Sequence, residues 1–240
     1  MRYAHLTTPM IKANCRERFT ADDFEFVVKT LARSDRDSVT LVELLTDAEA
    51  RDAILDDPRL FQTVLEHGAP LTISPQLYFY ILVRHVLKQT GLNDRGTSDY
   101  VASLLEKFSQ TTQMRSPADG RDMPIQYVSD MMVALRDASP QQTFLIRAHM
   151  GNYALFISGI FHETVESRSQ RGAPDVSFYE DIGRSSYRAV AQHRVAKSCE
   201  LTRIFESLSS GFRDVRLALN HLADSLLHLD GGPTPDLLLS

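Results

Sequence analysis

The chain has 240 residues, 43% of them hydrophobic, and carries 26 Lys plus Arg against 31 Asp plus Glu for a formal net charge of −5. That length suits one large domain or two small ones, and the apolar share excludes disorder over most of it. The acidic balance argues against nucleic-acid binding, which takes a basic excess, and no run approaches the roughly 18 apolar residues of a membrane span.

The segment 1–19 is mixed and aperiodic and reads as irregular. Thr20 with Asp23 makes a capping-box-like start, followed by Phe24, Val27, Val28 and Leu31 at helical spacing. Asp37 or Ser38 can open a second helix over Leu41, Val42 and Leu45. Asp47 opens a third through Leu55, and Asp56-Asp57-Pro58 a fourth that ends before Gly68. Residues 20–67 thus read as four short helices.

The helix that follows, about 75–90, has the clearest boundaries. Ser74 suits the cap, Pro75 the first helical position, and Gly91 the left-handed residue after the last turn. Its residues are apolar on every face, as in a helix at the centre of a protein. Arg84 and His85 nevertheless lie near its middle. Ser98 reads as the cap of the next helix, through Phe108. Residues 110–124 have no periodicity and read as a surface loop or a lid.

Tyr127 to Ala138 is helical in pattern, and Ser139-Pro140 opens a long helix to about Ser167. It is apolar on most faces from Phe144 to Phe161, interrupted by Arg147, His149, Asn152 and Tyr153. Ala148, Gly151, Asn152, Ala154, Ser158 and Gly159 share one side. Such a stripe of small residues marks a close approach, and helix packing explains it best. Asp175 or Ser177 starts a helix through Val195; Leu201 to Leu208 is short; Phe212 to Leu229 is amphipathic. Gly231-Gly232-Pro233 ends regular structure.

No alternating run bounded by hairpin turns appears. The expected fold is all-α: a single irregular multi-helix bundle of nine or ten helices around two buried central helices, 75–90 and 140–167. The helical domain spans 20–229, with an irregular N-terminal segment 1–19 and a flexible C-terminal tail 230–240. Cys15 and Cys199 fit no metal or redox spacing and read as reduced thiols. The first nine residues lack the apolar core of a secretory signal. A soluble, cytoplasmic protein is expected.

The two central helices carry the candidate site. Tyr78, Tyr80, Arg84 and His85 on the first, with Arg147, His149, Asn152 and Tyr153 on the second, can line a polar cavity for a carboxylate or phosphate ligand. The competing reading pairs the arginines with internal carboxylates, such as Glu163, Glu180 or Asp181, because buried charges are normally paired. His162-Glu163-Thr164-Val165-Glu166 approaches the zinc-protease helix motif but ends in Glu. His162 and Glu166 still share a face and can offer two metal ligands. Haem needs only one proximal His, though no C-x-x-C-H site is present. Phosphate loops, dinucleotide fingerprints and nucleophile elbows are missing.

Two functions follow. The first is a helical binding or regulatory protein without catalytic activity, acting on a protein partner or as a homodimer. The second is a small-molecule or cofactor-binding protein, with metal and haem among the candidates, or an enzyme, built on the Arg/His/Tyr pocket.

Overall fold

Helix starts in this chain are set by side chains that accept from the free N–H groups of the first turn. Thr20 and Asp23 form a reciprocal capping box, Asp23 N–H to Thr20 at 3.2 Å and Thr20 N–H to Asp23 at 2.8 Å. Ser34, Asp47, Ser74, Ser139 and Asp175 each accept from a backbone N–H three residues on. Asp23 serves two helices at once, because it also accepts from the Ser74 N–H at 2.7 Å and the Ser74 hydroxyl at 2.6 Å. It is fully buried.

The computed structural model describes residues 11–67, 72–112 and 124–230. A 3-10 turn, Arg16–Arg18, precedes α1 (Ala21–Leu31), α2 (Asp35–Thr46), α3 (Ala48–Ile54) and α4 (Pro58–His67). There follow α5 (Pro75–Gln89), α6 (Arg95–Thr112), α7 (Pro124–Ala134), α8 (Pro140–Ile160), α9 (His162–Ser169), α10 (Val176–Ala191), α11 (Arg194–Ser198), α12 (Thr202–Ser210) and α13 (Phe212–Asp230). Every regular element among the described residues is helical, so the fold is all-α. No helix among them is long and apolar enough to cross a membrane. Residues 1–10, most of the segment 110–124 and the tail beyond 230 lie outside the described residues.

Thirteen α-helices are described where nine or ten were expected, and two breaks account for much of the difference. The helix expected to run to Ser167 stops at Ile160, and Phe161 leaves helical geometry at φ −110°, ψ 36°. At this end the Asn220 side-chain amide donates to the carbonyls of Ser158 (2.9 Å) and Gly159 (2.7 Å), serving acceptors that the break leaves without a helical partner. Farther on, His193 caps α11 through Nδ1, which accepts from the Val195 N–H at 3.2 Å, and so separates α11 from α10. The start of α6 also moves. Asp94, rather than Ser98, accepts from the first turn, at 2.7 Å from the Thr97 N–H.

The chain forms two compact units. One is drawn chiefly from Ala13–Ser109, the other from Gln110–Ala223. In the first unit α5 is buried along most of its length, from Leu77 to Leu87, and packs against α4 and the 3-10 turn, while α1 packs on α2 and α4. In the second unit α10 packs on both α8 and α12. The close approaches there need glycine. A Cβ on Gly183 would lie 2.1 Å from the Phe212 ring, and one on Gly151 would lie 2.8 Å from the Tyr187 ring. The stripe of small residues on α8 therefore meets helix neighbours: Tyr187 covers Gly151, and Leu219 covers Gly159.

Candidate functional site

The eight residues singled out as a pocket fall into two sets of four, α5 in the first unit and α8 in the second. On α5, Arg84 is 2% exposed, and each nitrogen of its guanidinium donates a hydrogen bond. Nε donates to Asp56 Oδ1 at 2.7 Å and Nη2 to Oδ2 at 2.9 Å; Nη1 donates to the Asn93 carbonyl at 3.1 Å and Nη2 to Asn93 Oδ1 at 2.6 Å. Lys88 and Arg95 approach the same carboxylate at 3.3 and 3.5 Å. Burial alone would raise the Asp56 carboxyl, but the Arg84 and Lys88 cations outweigh it and hold it below its ordinary value. The carboxylate partner of Arg84 is thus Asp56, in the turn before α4, and not Glu163, Glu180 or Asp181.

His85 is stacked. Its ring lies 3.8 Å from that of Phe61 with 9° between planes, and its Nε2 meets the Gln89 amide at 2.9 Å. Burial, with Lys88 nearby, lowers its pKa and favours the neutral ring. Tyr78 packs edge-on against Phe79. Tyr80 is fully buried under the Arg16 guanidinium, which stands 5.8 Å above its ring, and burial pushes its phenol far up.

On α8, Asn152 accepts a hydrogen bond from the Tyr187 hydroxyl at 2.9 Å, fully inside the unit. His149 is buried; Arg147 and Tyr153 are half-buried. Nearby, Arg216 donates from Nε to Glu180 at 2.7 Å and from Nη1 to Asn220 at 2.6 Å, so Glu180 serves an arginine of α13. His162 and Glu166 keep their i, i+4 relation on α9; His162 is half-buried and Glu166 exposed.

A polar cluster that the sequence reading passed over lies beside α5. The strap Cys15–Phe19 runs across α3 and α6. Arg16 Nη1 donates to both oxygens of Asp52 at 2.8 Å, and the Arg16 N–H donates to Asp99 at 3.0 Å. Arg18 forks onto Glu106 at 2.8 and 3.0 Å, and Gln76 donates to the same carboxylate at 2.7 Å. Burial pushes the Asp99 carboxyl up to about 6, against the hydrogen bond and charge of Arg16, which pull it down. Burial pushes the Cys15 thiol up to about 12, with Ser103 opposing. The signal in the sequence is slight: Arg16-Glu17-Arg18 in an aperiodic stretch, and Asp99 with Glu106 seven apart on one helix face.

One surface departs from the pattern of a closed core. On α2 only Leu45 is buried, while Val39 and Val42 are 62% and 56% exposed. Val39 lies one helical repeat from both Asp35 and Glu43, which share its face. No family model matches the chain, and neither a curated protein nor a solved structure matches it.

Proposed function

We propose that this chain is a helical docking protein without catalytic activity, and that α2 receives a basic amphipathic segment of another protein. The apolar face left in solvent carries the reading. Val39 and Val42 are the most exposed large apolar side chains among the described residues. Exposed Asp35, Asp37, Glu43, Asp47 and Glu49 outnumber exposed Arg33 and Arg36 along the same stretch. An apolar strip with an acidic rim is complementary to a helix that presents leucines between lysines or arginines.

The state of the α5 residues supports a non-catalytic reading over an internal pocket. Arg84 is held by Asp56 and Asn93, and His85 stacks on Phe61 with its Nε2 on Gln89, so both side chains are committed to contacts within the fold. Catalytic groups, by contrast, need reach to a substrate.

The test is titration of the labelled chain with a designed amphipathic peptide of leucine and lysine at helical spacing, read by NMR. Shifts confined to α2 and abolished by Val39→Asp support the docking face, and a leucine–glutamate peptide should leave the spectrum unchanged. Shifts elsewhere, or none, overturn it. Self-association that Val39→Asp removes would assign the face to a second copy.

A further inference from the structure

The strap Cys15–Phe19 covers three carboxylates from distant parts of the sequence: Asp52 on α3, and Asp99 and Glu106 on α6. The floor is deeper than its cover. The side chains of Asp99 and Glu106 are 3% and 5% exposed, those of Arg16 and Arg18 28% and 44%. Buried carboxylates demand a cation, a proton or donated hydrogen bonds. Here two of the cations come from one short segment, anchored by the buried Cys15 side chain, and lie on top, while Arg95 of α6 stands 3.7 Å from Asp52.

The cover is also incomplete. The Tyr80 hydroxyl is fully buried and has no hydrogen-bond partner among the described residues, and the charges around it are those of Arg16, Asp52, Arg84 and Asp99. Buried hydroxyls are nearly always bonded. Arg16 Nε stands 3.9 Å from Asp99 and makes no hydrogen bond. The strap therefore brings two guanidiniums to three carboxylates and leaves part of the hydrogen-bonding capacity there unmet.

We propose that this floor is a recognition groove for an Arg-x-Arg segment of another protein, and that the chain's own strap occupies it as a tethered competitor. The contacts define the occupant. One guanidinium rests on Asp52, a second two residues later forks onto Glu106, and the backbone between α3 and α6 donates an N–H to Asp99. Lysine fits less well, because an ammonium does not fork. A tethered segment competes at an effective concentration of roughly millimolar order. An incoming segment displaces it by reaching Tyr80 as well. The groove is distinct from the exposed strip on α2, and neither assignment depends on the other.

The experiment uses the full chain with Arg16→Glu and Arg18→Glu, which repel the strap from the floor. The probe is a fluorescein-labelled peptide of residues 13–20, kept reduced and followed by anisotropy. Binding at least about tenfold tighter than to the unaltered chain is expected, and it should be lost when Asp52→Asn and Glu106→Gln are added. Equal binding by both chains, or none by a variant with native circular dichroism, overturns the proposal. If that variant does not fold, hydrogen exchange on the unaltered chain decides. A separable strap exchanges its Arg16 and Arg18 amides at least tenfold faster than Leu82 and Val83; exchange of all four at one common rate overturns it. A dimer of the unaltered chain that grows with concentration and vanishes in Arg16→Glu/Arg18→Glu would assign the groove to a second copy's strap, and likewise overturns it.

Discussion

The two units build their interiors by different means. The first takes ions inside: Arg84 with Asp56, and Arg16 and Arg18 with Asp52, Asp99 and Glu106. The second holds one such pair, Arg216 with Glu180, and otherwise relies on shape, with Tyr187 over Gly151 and Phe212 over Gly183, and with side-chain amides finishing its polar contacts. The contrast has an energetic meaning. A buried ion pair is weak evidence of stability, because desolvation offsets the attraction, yet removal of one partner is severe. A close-packed crossing adds stability in many small contacts and fails when volume is added.

The sharpest way to break this contrast is Arg84→Met. It leaves Asp56 without its main cation and should lower stability by about 3–5 kcal/mol, as read by urea denaturation. Adding Asp56→Leu should recover much of the loss. A chain that tolerates Arg84→Met with little change would place the first unit's stability elsewhere.

Acidity should separate the units next. Asp99 is held above its ordinary value, so between about pH 4 and 6 the folded chain keeps a proton that the unfolded chain has released. Its contribution is full below the unfolded value and is lost as pH rises through about 6, on the order of 3 kcal/mol. Asp56 runs the other way: its contribution is present above the ordinary carboxylate range and is lost as pH falls through its lowered value. Denaturation midpoints across pH 4 to 7 should rise in Asp99→Asn relative to the unaltered chain at the neutral end. Hydrogen exchange should locate the change in the first unit.

Gly183→Ala probes the second unit. Its new methyl meets the Phe212 ring at 2.1 Å, and the overpacking should cost about 1–3 kcal/mol, seen as a lower thermal midpoint. The smallest effect expected is that of Ser139→Ala, about 1 kcal/mol from loss of the α8 cap, with faster exchange confined to the first turn of that helix.

What the sequence shows of this fold is local. Ser74-Pro75, Ser139-Pro140 and Thr20 with Asp23 mark helix starts because a cap and its target are three residues apart. Gly91, at φ +85°, marks an end for the same reason. The polar interior is not local. Arg84 advertises the need for a partner, but Asp56 lies 28 residues earlier and no period links them. The carbonyls at the end of α8 find their side-chain donor in Asn220, about sixty residues later, so the residues around Phe161 give no sign of it. Arg16 and Arg18 sit in a stretch without pattern, where charge reads as solvated surface until the carboxylates beneath are placed.

The sealed thiol of Cys15 turns the strap into its own stopwatch. With no solvent exposure and with burial suppressing its ionisation, it is inert toward disulfide reagents while the strap is down. Cys199, exposed at the end of α11, is open to the same reagent and serves as the internal reference. For the proposed strap, the lag between the two modifications reports its open population when reclosing outpaces the reagent, and its opening rate when the reagent is faster.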